Sequence, residues 1–109
     1  MRVLVTPEAE AQLDVRWEWW RDHREKAPDL FDEEFLAAVE HIGSAPGSFP
    51  IHVQRRGRTI RRCLMPKTRS HLYFEIDEQA GVAWVVAAAG GQRRRPPKFR
   101  LQESLSDSG

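Results

Sequence analysis

The side chains best suited to chemistry lie in the second half of the chain, and most of them are cations. No acidic residue stands between Ile51 and Phe74, a stretch that carries Arg55-Arg56-Gly57-Arg58 and Arg61-Arg62. A further run, Arg93-Arg94-Arg95, precedes Pro96-Pro97. Guanidinium groups hold carboxylates and phosphates through paired hydrogen bonds, so the chemistry on offer is anion recognition. Arginines make poor acids and bases because their pKa lies above about 12. Proton transfer would fall to His71, which can act as a base near neutral pH, and to the hydroxyl of Tyr73. A lone His and Tyr alternating along a strand more often form a polar outer face, and that reading stands beside the catalytic one. The sequence has no cluster of metal ligands, no glycine-rich phosphate loop and no nucleophile elbow. No metal or other cofactor is expected.

These residues must be positioned by strands. His71-Leu72-Tyr73-Phe74-Glu75-Ile76-Asp77 alternates apolar and polar residues, the period of a half-buried strand. Leu72, Phe74 and Ile76 would face the core, with His71, Tyr73 and Glu75 on the opposite face. Asp77 to Gly81 suits a hairpin turn. Val82 to Ala89 is apolar almost throughout, as in a central strand covered on both faces. Pro96 and Pro97 cannot continue a ladder, which sets the arginine run at that strand's exit. Ile60 to Met65 alternates as another strand, ended by Pro66. Ile51 to Arg58 reads either as an edge strand or as a basic loop turning at Gly57.

Ahead of these strands, Arg2 to Val5 reads as a short strand and Thr6-Pro7-Glu8 as a helix start, with Thr6 as N-cap and Pro7 at the first helical position. The spacing predicts a helix over Pro7–Glu25 whose core stripe is Ala9, Leu13, Trp17 and Trp20. Ala11, Val15 and Trp19 form a second stripe, which either packs inside the domain or waits for a partner. A second helix is predicted over Pro28–Ile42, with Phe31, Phe35, Ala38 and Ile42 buried and Gly43 as its stop. The order is β-α-α-β-β-β: an α+β fold with an N-terminal helical hairpin packed on a small antiparallel sheet.

A chain of 109 residues has room for one domain, 1–109. The tail over about 101–109 loses apolar content and is expected to be disordered. The formal net charge of +1 hides an asymmetry. Met1 to Pro50 carries 11 acidic and 5 basic residues, whereas Ile51 to Gly109 carries 5 acidic and 12 basic. Such a split suits an anionic partner on the basic side, or mutual attraction of the two halves. The single cysteine, Cys63, allows no intrachain disulfide, and no leader-like or bilayer-spanning run is present. A cytoplasmic protein is the expectation, with no membrane partner.

In order and motifs the chain resembles the RelE/ParE toxin superfamily of type II toxin–antitoxin modules. The matching features are VTPEAEAQL opening the first helix, the alanine- and phenylalanine-bearing second helix, the SAPGSFP loop, IRRCL, the SHLYFEID strand and the hydrophobic strand leading to Arg93. Each is short and permissive; their order and spacing carry the resemblance over Val3 to about Phe99. It implies a toxin neutralised by a cognate antitoxin, with operator DNA bound only through that antitoxin. Two modes of action follow. RelE-like members cleave message on the ribosome, and ParE-like members interfere with DNA gyrase. The basic positions of the nuclease pattern fall at Arg62 and Arg93, which keep a charge, but also at Leu64, and its arginine ahead of the LxY segment falls at His71. Its C-terminal tyrosine falls at Phe99, which lacks a hydroxyl. The resemblance therefore favours the ParE-like branch, with target contacts expected from Arg62, Arg93, Arg94 and Arg95 and antitoxin contacts from Val15, Trp19 and Arg61. The alternative is a RelE-like ribonuclease with Arg62, His71, Tyr73 and Arg93 as its centre. A second alternative is an interaction protein of the same fold without toxicity.

Overall fold

The computed structural model describes residues 1–90. Arg93, Arg94, Arg95, Phe99 and the predicted tail lie outside the described residues. The order of elements is β1 (Arg2–Val5), α1 (Pro7–His23), α2 (Leu30–Ser44), a short 3₁₀ turn (Pro46–Ser48), β2 (Ile51–Arg55), β3 (Arg58–Met65), β4 (Ser70–Asp77) and β5 (Val82–Gly90). The fold is α+β, two helices and one five-stranded sheet in the order β1-β5-β4-β3-β2. The pairs β2–β3, β3–β4 and β4–β5 are antiparallel. β1 adds to the edge of β5 in parallel, so the sheet is mixed, and β2 gives it one strand more than the predicted order. Ile51–Arg55 is an edge strand rather than a loop, and it turns into β3 through Arg56 and Gly57, both at positive φ.

Thr6 caps α1 by accepting from the Ala9 amide, and Pro7 opens the helix as predicted. The helix ends two residues before Glu25 because Arg24 leaves helical geometry. The Trp20 indole N–H donates to the Ala27 carbonyl at 2.7 Å, which fixes the turn into α2. α2 starts at Leu30, after Pro28 and the N-cap Asp29, and runs through Gly43 to Ser44. Gly43 is therefore not a helix stop. A Cβ there would lie 3.0 Å from the Met1 carbonyl oxygen, so glycine allows the start of β1 to approach the helix.

Both helices cover one face of the sheet, α1 over β5 and α2 over β3 and β1. The core between them holds Ala9, Trp20, Phe31, Ala38 and Ile42 from the helices, with Cys63, Met65, Leu72, Phe74, Ala83 and Val85 from the strands. Trp17, expected in that core, is only half-buried. Its N–H donates to Asp32 and Arg21 lies over its ring, so it belongs to the rim of the helix pair. The opposite face of the sheet has a smaller cluster of its own: Ile60, Tyr73, Ala87 and Ala89, with Val53 and Val86 packed against it. Tyr73 is thus a buried residue, 4% exposed, and not part of a solvated outer face. Alternation assigned it to the correct side but could not reveal the apolar neighbours supplied by β3 and β5.

Candidate functional site: the open face of the sheet

The face away from the helices gathers the predicted proton-transfer groups. Arg62 on β3 pairs in register with Tyr73 on β4, and Leu64 pairs with His71. The residues of such pairs lie on one face, so Arg62, Leu64, His71 and Tyr73 are neighbours. His71 and Tyr73 have ring centroids 6.3 Å apart. A further group, which the sequence reading passed over, completes the cluster: the ring of His52 lies 4.7 Å from that of Tyr73. It arrives there through an irregularity in β2, where Ile51 pairs with Arg61 but Val53 pairs with Ile60. Strict alternation gives no sign of such a bulge. Its only sequence signal is a histidine two residues beyond Pro50 in a run that reads equally as strand or loop.

The surroundings favour the neutral form of both imidazoles. Burial, and secondly the positive charge of Arg62, lower the His52 pKa from its ordinary value. Burial, then Arg62, then His52 lower that of His71. The Nδ1 of His71 is buried without a hydrogen-bond partner among the described residues, which also disfavours the doubly protonated ring. Neutral imidazoles can accept a proton, so the cluster has bases and one guanidinium. The geometry is closed at Tyr73, however, and open at Arg62 and Leu64. Arg62 is exposed and Leu64 is 54% exposed, whereas the Tyr73 ring is sealed between its neighbours. Further along the same face Arg58 grips Glu75 through paired contacts of 2.7 and 2.5 Å. Among the described residues no three His, Cys, Asp or Glu side chains gather as a metal site.

The other predicted site residues separate. Arg61 points to the helix side, where it donates to the Phe49 carbonyl at 2.7 Å. Val15 and Trp19 stand on the exposed side of α1 and line a groove with Arg16 and Arg69 that does not include Arg61. No helix among the described residues is long and apolar enough to cross a membrane. No protein-family model matches the chain, and no curated protein matches it either.

Proposed function

We propose that this chain is the toxin of a type II toxin–antitoxin module, and that it acts by binding DNA gyrase rather than by cutting message. The order and spacing of its motifs support the toxin reading. One observation carries the mode of action: the open face presents Arg62 and the 54%-exposed Leu64 side by side, while the Tyr73 hydroxyl-bearing ring is packed away at 4% exposure. An accessible cation beside an accessible aliphatic group makes a protein-docking surface. A cleavage centre instead needs its acid and base within reach of the reacting atoms.

A second reading, ribonuclease action, is favoured by the grouping of His52, His71 and Arg62 around Tyr73. The two are separated by assaying one purified sample for inhibition of gyrase supercoiling and for ribosome-dependent message cleavage. The gyrase reading expects supercoiling to be inhibited, the inhibition to be lost in Leu64→Glu and to be retained in His71→Ala. Message cleavage that disappears in His71→Ala overturns the gyrase reading in favour of the nuclease.

A further inference from the structure

We infer that β2 is a strap across Tyr73, closed while His52 is neutral and released from the ring when acid charges it. The inference does not rest on whether gyrase or message is the target, since it concerns access to the one tyrosine of the chain. A strap needs a middle that can lift and ends that stay in place. β2 is the outermost strand of the sheet, five residues long, with β3 as its neighbour. Its ladder is interrupted at His52, because Ile51 pairs with Arg61 and Val53 with Ile60. A bulge leaves its extra residue unpaired and disrupts the ladder locally.

The two ends are firmer. The Arg62 amide donates to the Pro50 carbonyl at 3.0 Å. At the other end the Gln54 amide group donates to the Thr59 hydroxyl at 3.1 Å, just before the turn at Arg56 and Gly57. The weak point of β2 is therefore the residue that lies on Tyr73. The His52 ring meets the phenol ring at 4.7 Å with planes 59° apart, and Val53 packs against the same small cluster. An edge strand gives this imidazole a route to water that leaves the helix-side core untouched. His71 has no such route, because β4 lies between β3 and β5.

Charge decides when the strap lifts. His52 is faced by Arg62 from β3 and by Tyr73 and His71 from β4, so its charged neighbours are cationic or become so in acid. The carboxylates of β4 are engaged elsewhere: Glu75 by Arg58 at 2.7 and 2.5 Å, and Asp77 by the Ala80 amide at the far turn. Burial, and secondly Arg62, lower the His52 pKa, so the closed form takes up a proton less readily than a ring in water. Acid then favours the lifted form, by about tenfold for each pKa unit that separates the two. Lifting uncovers the Tyr73 hydroxyl beside Arg62 and His71, the group whose burial closes this cluster at neutral pH.

The test follows the Tyr73 ring protons of the whole chain by NMR, with a soluble gadolinium chelate as the probe of exposure, from about pH 7.5 to about pH 4.5. Their relaxation by the chelate rises at least about threefold toward acid, with the midpoint of the His52 ring titration. Hydrogen-exchange protection at Phe74 is unchanged over the same range, so the sheet itself stays closed. His52→Gln, which takes no charge, keeps Tyr73 covered throughout, whereas His52→Ala uncovers it at every pH. A Tyr73 ring that stays shielded down to about pH 4.5 overturns the inference, whether His52 remains neutral or is held, charged, by attraction to the phenol face. So does an acid response that persists in His52→Gln, a ring that stays covered in His52→Ala, or exposure that appears together with loss of protection at Phe74.

Discussion

His52 and Tyr73 meet ring against ring, 4.7 Å apart, across two strand boundaries, because the chain slips by one residue between Ile51 and Val53. That slip puts an imidazole on the open face, where Arg62 and His71 already stand, and the three polar groups then share one electrostatic environment. Their coupling has consequences for pH. Both imidazoles have pKa values lowered in the folded chain, so between the folded and the unfolded value, near 6.5, the unfolded chain binds more protons. The stability from neutral histidines is fully present above about pH 6.5 and is lost as pH falls through the folded values. Thermal melts across pH 5 to 7.5 should show the midpoint falling on the acid side, roughly as linkage requires. Arg62→Gln removes one cause of both shifts. In that variant the His52 and His71 ring resonances should titrate at higher pH than in the wild type, as NMR would show.

The turn that joins β3 to β4 is held from both helices. Glu34 on α2 accepts from the Lys67 amide at 2.7 Å and from the Thr68 amide and hydroxyl at 2.9 and 2.6 Å. Arg16 on α1 holds Thr68 and Ser70 from the other side. Hydrogen bonds to a charged group contribute about 1.5–3 kcal/mol each, and buried donors left without a partner add their own cost. Glu34→Ala should therefore lower unfolding free energy by about 2–3 kcal/mol in urea titrations, and Glu34→Gln by less. A change below about 0.5 kcal/mol in the alanine variant would show the clamp to be incidental.

How legible the molecule is in its sequence depends on whether a feature is local. The capping of α1 by Thr6 and Pro7, the alternation of β4 and the hairpin at Asp77 to Gly81 are set by neighbours in sequence, and all are found. The parallel docking of β1 on β5 joins Arg2 to Val82 across nearly the whole domain and leaves no local trace. The two register slips are likewise silent. One delivers His52; the other makes Val86 an extra residue, since Tyr73 pairs with Ala87 but Phe74 pairs with Val85. Of the candidate centre, Arg62, His71 and Tyr73 were readable and are neighbours. Tyr73's burial was not, because it depends on Ile60 and Ala87, which other strands supply.

Gln12 provides a test of the β5 edge. β1 pairs with β5 only as far as Val85, and beyond it the Ala88 amide donates to the Gln12 side-chain oxygen at 2.8 Å. Gln12→Leu fills similar space but leaves that amide without its acceptor. The expected loss is about 1–3 kcal/mol. Hydrogen exchange at Ala88 should accelerate, while exchange at Val85 and Leu72 stays at the global rate. Unchanged protection at Ala88 would mean that another acceptor replaces Gln12.

The single thiol offers a last prediction, about dynamics. Cys63 is buried on the helix side of β3, among Met65, Leu72 and the residues of α2. Burial, and secondly the Glu34 carboxylate, push its pKa up to about 11. Nucleophilic attack requires the thiolate, so at pH 8 the folded chain should present almost none, and what exists is shielded by packing. Alkylation by iodoacetamide should then follow opening of the α2–β3 contact rather than the chemistry of an exposed cysteine. Two results check this. Modification of the native chain should be slower than that of a denatured sample by several orders of magnitude, roughly the equilibrium population of the open state. Glu34→Ala, which loosens the neighbouring turn and also removes a charge that raises the thiol pKa, should speed modification by more than the added thiolate accounts for. Were packing unimportant, the faster rate would match the change in thiolate fraction alone. A rate that rises further in urea well below the unfolding transition would place that opening at α2, whose His41 packs on Phe49, itself edge-on to Phe74 at 5.4 Å between centroids.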